Sequence, residues 1–425
     1  MNFISFLIIG IITFSLSAQP LTETVFNLSN NNPYRMTLDD CILIAKQNNL
    51  SLKQSLIDIE AVRTNLTEAN SAYFPSIGLS SNYRKSGNAR EDASGNFSNN
   101  INAQYTIYKG GSIRAGSKIA QEKIKIAEAN YRQKECEVVL AVKQAFFKIL
   151  QTQEQVALIN TILKRRRENL LLIKLNYNVG RENQANVAQA EANLEQTEYE
   201  LFSAQQNLVL AKIALNKLIN LNGEDIEIFY EDKPIDFPEL DSLINEAKNS
   251  RSEIISQKIN QKIVHMQKNQ AFSNYLPTIS LSSSYGLSGE NFLKQNENWS
   301  AGVGLSLSIF NGFATQSKVK QAEIAIKQNA LRLQELSNNI ESEVRRAYAD
   351  WVLAKKNFEV SQKALTAIQG QYQLTKLQYE QGRTSYFFLQ QKENELAQAE
   401  NNLLNALYNL RNASAKLSYT IGRSN

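Results

Sequence analysis

Apolar and polar residues alternate strictly in two pairs of short segments. From Ile279 to Leu287 the odd positions carry Ile279, Leu281, Ser283, Tyr285 and Leu287, and the even ones Ser280, Ser282, Ser284 and Gly286. From Trp299 to Ile309 the odd positions carry Trp299, Ala301, Val303, Leu305, Leu307 and Ile309, against Ser300, Gly302, Gly304, Ser306 and Ser308. An earlier, fainter pair has Ile77, Leu79 and Tyr83, then Ile101, Ala103, Tyr105 and Ile107. Period two is the strand signature, and runs of about 9–11 residues suit a tilted strand crossing a bilayer. Strands are therefore expected at about 76–86, 100–108, 278–288 and 299–309. In a membrane the apolar side would face lipid and the small polar side a lumen, although a half-buried soluble sheet shows the same alternation. Segments 87–98 and 288–298, rich in Asn, Ser, Gly and charge, read as exposed loops. Aromatic residues gather near the strand ends (Tyr73, Phe74, Tyr83, Tyr108, Tyr275, Tyr285, Trp299, Phe310), as interfacial girdles do.

Elsewhere the spacing turns helical. Val138, Val142, Ala145, Phe146 and Ile149 recur at three and four, with polar residues between them. Ser112 to Tyr177 reads as one continuous helix, roughly 100 Å long at 1.5 Å per residue. Residues 38–72 and 182–219 read as shorter helices of roughly 50 and 55 Å, which placed end to end match the long one. The pattern returns at 240–274, 314–379 and 384–421. All six prolines (Pro20, Pro33, Pro75, Pro234, Pro238, Pro277) lie outside these helix interiors, where each would cost about 3 kcal/mol. The apolar stripes are rich in Ala, Gln and Asn, which suits coiled-coil helices packed side by side into a hollow wall.

The chain is one unit written twice. Residues 38–220 and 240–422 align at a constant offset of 202. The segment Ser71 to Tyr83, with its Tyr-Phe-Pro, returns as Ser273 to Tyr285 with Tyr-Leu-Pro. Tyr108-Lys-Gly110 returns as Phe310-Asn-Gly312, and Leu175-Asn-Tyr-Asn-Val-Gly-Arg181 as Leu377-Gln-Tyr-Glu-Gln-Gly-Arg383. So long a period is a duplicated structural half rather than a solenoid. Residues 221–239, with Pro234 and Pro238, are the linker.

No stretch after the N-terminus is apolar over the ~18 residues a spanning helix needs, so membrane insertion would require a closed barrel. Four strands cannot close one, because the smallest membrane barrels use about eight; the chain must then oligomerise. Residues 1–18, an apolar run ending in Ser15, Ser17 and Ala18, read as a secretory signal peptide, and 19–37 as an N-terminal extended segment. Across 425 residues, 20% charged and 43% hydrophobic, the net charge is only +5, which gives no nucleic-acid footprint. Cys41 and Cys136 sit at unrelated positions of the repeat and read as buried or half-buried small residues. His265 is the only histidine and has no partner spacing for a zinc site or a hydrolytic triad. Gly111 to Lys118 has phosphate-loop glycine spacing, but Ser117 precedes Lys118, the reverse of the required order. Lys164-Arg-Arg-Arg167 reads as a solvated helix face. No enzyme, metal or cofactor is expected.

The duplication, the Pro75 and Pro277 entries into the strands, the Gly110 and Gly312 exits, and the Tyr-x-x-Gly turns together resemble the TolC family of outer-membrane efflux proteins. The resemblance covers nearly the whole chain after residue 18. It implies a mixed, mainly α fold: four transmembrane β-strands per chain plus long antiparallel coiled-coil helices. Three chains would form a 12-stranded β-barrel continued by an α-helical barrel in the periplasm. It implies a homotrimer in outer-membrane lipid, a periplasmic adaptor protein and an inner-membrane transporter, with the chain as a passive duct for efflux or type I secretion. The turns at 177–183 and 379–384 would be the periplasmic tips, where Tyr177, Gly180, Arg181, Tyr379, Gly382 and Arg383 meet the adaptor. Family members often place acidic residues just past these turns. Here the positions hold Asn186, Phe388 and Gln391, with Tyr386, Phe387 and Phe388 as an aromatic cluster. That predicts a hydrophobic constriction able to gate by dewetting, without an anionic ring to attract blocking cations. The alternative is a structural or adhesive coiled-coil protein of the cell envelope, which gives no reason for two lipid-patterned hairpins at matching places of a duplicated frame.

Overall fold

The structure, a computed structural model, describes residues 34–88, 91–221, 226–230, 236–290, 292 and 296–423. The expected signal peptide and residues 19–33 lie outside the described residues, as does Pro234 of the linker. The elements run β1 (Tyr34–Met36), α1 (Leu38–Asn48), α2 (Leu50–Ser71), β2 (Ser76–Asn88), β3 (Glu91–Lys109), α3 (Ser112–Asn178) and α4 (Gln184–Ile219). They continue as β4 (Ile226–Ile228), α5 (Leu240–Ser250), α6 (Ser252–Phe272), β5 (Thr278–Gly289), β6 (Asn296–Ser306), α7 (Ala314–Glu380) and α8 (Tyr386–Thr420).

The two long helices, α3 and α7, have 67 residues each and span roughly 100 Å. Neither contains proline, and each ends at a glycine turn. No described helix is long and apolar enough to cross a membrane. The structure splits the helices expected over 38–72 and 240–274. Asn49 breaks the first into α1 and α2, and Arg251 breaks the second into α5 and α6, 202 residues apart. Each break is extended, with ψ of 125° and 130°, but the chemistry differs. The Asn49 side chain caps α2 by accepting from the amides of Ser51 (3.0 Å) and Leu52 (3.2 Å), and donates to the Leu218 carbonyl at 2.8 Å. Arg251 instead reaches out to Glu253 and Glu343, a pairing that holds its guanidinium pKa up against the cost of burial.

Four strands form one antiparallel sheet in the order β2-β3-β5-β6. A second, two-stranded sheet pairs β1 with β4 in parallel, Tyr34 opposite Ile226 and Met36 opposite Ile228. It ties the start of the first half to the linker beside the main core. That core gathers Cys41, Val142, Phe146, Ile149, Leu215 and Tyr408. The matching core of the second half gathers Leu243, Ile340, Val344, Trp351 and Leu417. Cys41 is buried and Cys136 half-buried, and neither is in a disulfide; burial pushes the Cys41 thiol up to about 12.

The halves are not equally covered. α3 packs against α1, α2, α4, α6 and α8, whereas α7 packs against α5, α6 and α8. Seventeen residues of α3 are buried against eight of α7. Val352, Leu353 and Val360 of α7 stay exposed, as do Tyr199, Phe202, Leu210 and Ile213 of α4.

Candidate functional site

The four-stranded sheet has one apolar and one polar face. Residues directly opposite on neighbouring strands share a face. The register joins Leu79 to Ile101, Ile101 to Tyr285, and Tyr285 to Trp299. It likewise joins Ile77 to Ala103, Tyr105 to Leu281, and Leu281 to Val303. The first of these rows runs apolar across all four strands; in the next, Ala103 meets Ser283, while Tyr105, Leu281 and Val303 form a row of three. The reverse face carries Ser80, Asn100, Gly286 and Asn298 in one such row. A Cβ on Gly286 would overlap the Asn100 side chain and crowd that of Asn298, so a glycine leaves room for both over β5. Ile77, Leu79, Val303 and Leu305 all stand exposed, far more apolar surface than a lone water-soluble sheet carries.

The strand ends differ from the sequence expectation. β3 begins at Glu91, nine residues before the expected start, because β2 pairs with it from there on, and β5 joins on the other side from Phe97. Most of the expected 87–98 loop is thus sheet. β6 ends at Ser306, and Leu307–Ile309 leave the strand, since Ser306 faces Thr278 and the next residue of β5's chain is Pro277, which has no N–H. The junctions are tight. Gly110, Gly111 and Gly312 hold positive φ, as does Phe313, at φ +65°. A Cβ on Gly110 would lie 2.4 Å from the Ser273 carbonyl.

At the far end, the two Tyr-x-x-Gly turns are Schellman caps. Gly180 (φ +72°) donates to the Tyr177 carbonyl at 2.9 Å and Arg181 to Asn176 at 2.8 Å. Gly382 (φ +73°) donates to Tyr379 at 3.0 Å and Arg383 to Gln378 at 2.8 Å. Glycine accommodates the left-handed C′ position and lets the next helix return antiparallel. Tyr177, Arg181 and Arg383 are exposed, but Tyr379 is buried. Its hydroxyl donates to Glu182 at 2.9 Å, and burial raises its pKa to about 12. Glu182 also accepts from the Asn186 side chain at 2.6 Å. One carboxylate thus joins the two tips, and sequence reading passed over it because its partner is 197 residues away. Of the aromatic cluster, Phe387 and Phe388 are exposed and touch edge to face at 5.7 Å. Tyr386 turns inward with Leu389 and packs on Tyr379. Gln391 is exposed and donates to Glu395.

Above the tips lies a buried polar seam between α3 and α8. Arg165 donates twice to Glu400, at 3.0 and 2.8 Å, and lies over the Tyr372 ring. Arg166 donates to the Asn193 carbonyl at 2.6 Å and to the Asn394 side chain at 3.3 Å. Asn169 donates to Glu393 at 2.8 Å and to the Tyr372 hydroxyl at 3.3 Å. The basic run 164–167 is therefore not a solvated face: Arg165 and Arg166 point between helices, leaving Lys164 and Arg167 exposed. No signal within the run marks which arginine turns inward, since the partners come from α4 and α8.

Glu393 carries a prediction. Burial pushes its carboxyl above the usual range, against the Asn169 hydrogen bond and the arginines that pull it down, and its Oε1 has no hydrogen-bond partner. A raised folded pKa means stability gained in the protonated form and lost as pH rises through the folded value. Glu393→Gln removes that loss. The variant is expected to be more stable than wild type at neutral pH by about 1 kcal/mol, with the gap closing as pH falls below the carboxylate range. Thermal unfolding of both proteins across pH checks this; a gap that stays constant with pH would contradict it.

Comparison with known proteins matches these features. Residues 42–221 and 243–423 each match the outer membrane efflux protein family, so the match itself is duplicated. The outer membrane protein TolC of Escherichia coli K12 is 26% identical over 328 residues, 72% of this chain and 65% of that protein. The chain thus spans just under two thirds of the TolC sequences of Escherichia coli and Salmonella enteritidis. The probable outer membrane lipoprotein SilC of Salmonella typhimurium is 21% identical, over 90% of this chain and 86% of its own length. Among solved structures, CusC superposes with a TM-score of 0.82 at 19% identity, over 94% of this chain and 96% of that one. The open state of the Neisseria gonorrhoeae MtrE outer membrane channel gives 0.75 at 20% identity, over 91% and 89%. These likenesses fix the fold as that of outer-membrane channels, a sheet built to close into a barrel and carried by long helices. With both halves of its sequence matched, the chain belongs to the outer membrane efflux protein family.

Proposed function

We propose that this chain is one subunit of a homotrimeric outer-membrane channel, the passive exit duct of a tripartite efflux or type I secretion system. The observation that carries the reading is the four-stranded sheet. Its apolar face is exposed, and among the described residues its two outer strands, β2 and β6, lack a neighbour on one side. Unpaired strand edges cannot persist in lipid, where no water satisfies the backbone. Closure with further copies satisfies the edges, and three copies give twelve strands. The uncovered faces of α7 and α4 fit the same assembly. Inside the chain, Gln151 and Gln155 of α3 meet Asn405 and Asn401 of α8. Moved by 202 positions, that seam sets Leu353 and Asn357 of α7 against Ser203 and Tyr199 of another copy's α4. The exposed Leu353 and Tyr199 would then be covered.

The glycine-capped tips, about 100 Å of helix from the sheet, would dock on a periplasmic adaptor that links the channel to an inner-membrane transporter. Tyr177, Arg181 and Arg383 present the exposed side chains there. Phe387 and Phe388 would narrow the pore with an apolar ring, a geometry that gates by dewetting. The test is planar-bilayer conductance of the purified oligomer, wild type beside Phe388→Ala. Discrete current steps in both, with larger or more frequent openings in the variant, are expected. Equal behaviour of the two removes Phe388 from the gate. Silence of an intact, inserted oligomer removes the channel.

A further inference from the structure

The duplication supplies a template for contact between copies. Both hairpins obey one register: Ser76 faces Gln104 in β2–β3, and the residues 202 positions on, Thr278 and Ser306, face each other in β5–β6. Between the hairpins β3 pairs with β5. Ile101 faces Tyr285 and Thr106 faces Ser280; Ile107 is then skipped, so that Tyr108 faces Ile279 and Lys109 faces Thr278. Moving β3 forward and β5 back by the same 202 turns this contact into β6 against β2. In one chain these are the outer strands, so the β2 that meets β6 belongs to a second copy.

We infer that β6 of one copy pairs antiparallel with β2 of the next, setting Val303 opposite Tyr83, Leu305 opposite Ser81 and Leu307 opposite Leu79. A bulge at Ile309 follows, with Phe310 opposite Ile77. The inference rests on the channel-subunit reading and adds the residue register of its seams. Three independent features agree with it. The seven apolar residues so paired are 49–77% exposed in one chain, and in this register all would fall on the apolar face. A slip of one residue would set Leu307 against Gly78 or Ser80 and turn apolar side chains into the lumen, because strand faces alternate with period two. Next, β6 stops at Ser306, whereas β3 runs to Lys109, the counterpart of Asn311. The last residues of β3 are held by β5 through its bulge. Leu307 to Asn311 lack that neighbour until a second copy supplies it, so this segment becomes strand on assembly. Ile309, 93% exposed, takes the place of the bulged Ile107. Last, Gly110 lies against Ser273, yet Gly312 has nothing within 4 Å. The counterpart of Ser273 is Ser71, and the seam brings Ser71 of the next copy to Gly312.

The test pairs cysteines across the seam, since opposed positions lie closer than diagonal ones and disulfides require that closeness. Native mass in detergent is measured first. With a trimer present, Leu79→Cys combined with Leu307→Cys is expected to give covalent trimers on a denaturing gel after mild oxidation. Ser81→Cys with Leu307→Cys, and each single variant, should stay mainly monomeric; the single variants also control for Cys41 and Cys136. In the wild-type trimer, amide exchange at Leu307–Phe310 should be slowed at least tenfold relative to dissociated chains, a reading that needs no variant to fold. A trimer that cross-links through the slipped pair, or exchanges freely at 307–310, overturns the register and leaves the channel standing. Absence of any oligomer overturns both.

Discussion

Arg165→Met is expected to cost about 3–5 kcal/mol of stability, the range for removing one member of a buried ion pair. Arg165 and Glu400 are each only 13% exposed at the side chain and are joined by two parallel hydrogen bonds. Removing the guanidinium leaves Glu400 with no cation and withdraws one of the arginines that offset the burial of Glu393. Glu400→Met added to Arg165→Met should recover most of the loss, because exchanging a whole buried pair for apolar side chains is close to neutral. Thermal unfolding of wild type, single and double variants in detergent reads the cycle. A single-variant loss under about 1 kcal/mol would class the pair with ordinary surface ion pairs.

That seam also breaks the symmetry of the duplicated frame. The position 202 after Arg165 is Ala367, and the one matching Glu400 is Glu198, which pairs with Arg167 on its own helix hairpin. Asn169 corresponds to Gln371 and Tyr372 to Leu170. The buried polar seam therefore occurs once per chain rather than once per half. In a trimer six similar seams between helix pairs become three that hold the buried Arg165 pair, inside chains, and three between copies that lack it, with Ala367 in place of Arg165. Only the first kind should open on removal of a single buried charge.

What could be read from sequence follows from how local each feature is. The alternation along β5 and β6 made their phase plain, because from Ile279 to Leu287 every residue but Ser283 obeys period two. The long helices were equally plain, with no Gly or Pro break that packing had to override except Gly116 and Gly370. The breaks at Asn49 and Arg251 were not legible. Neither lies beside a glycine or proline, and the extended geometry is stabilised by Leu218 in one case and by Glu343 in the other, groups far along the chain. The early start of β3 was missed for a related reason. Ser94 to Asn100 has poor strand propensity, but it pairs with β2 throughout and with β5 from Phe97, and that hydrogen bonding outweighs side-chain preference. Strands β1 and β4, at three residues each, are too short for any periodicity. At the tips the glycine turns were visible as motifs. Glu182 was not, because its importance lies wholly in the partner that folding brings to it.

Gly110→Ala is expected to be the most damaging small substitution at the membrane end. Its φ of +56° costs an L-residue about 1–2 kcal/mol. The added carbon would also sit 2.4 Å from the Ser273 carbonyl, closer than any real contact, and backbone on both sides must shift to relieve it. Overpacking of that kind costs about 1–3 kcal/mol more. Since Ser273 leads directly into Pro277 and β5, the shift would propagate into the β3–β5 pairing on which the sheet depends. Folded oligomer recovered from the membrane fraction should fall severalfold. Gly312→Ala makes the informative contrast. In a single chain it meets only the backbone strain, with no atom within 4 Å. In a closed barrel it should meet Ser71 of the next copy and suffer the Gly110 penalty as well. A Gly312 variant whose monomer folds normally but whose oligomer dissociates readily would place its cost at assembly. One that assembles as well as wild type would mean that the two junctions, alike in sequence, are not alike in surroundings.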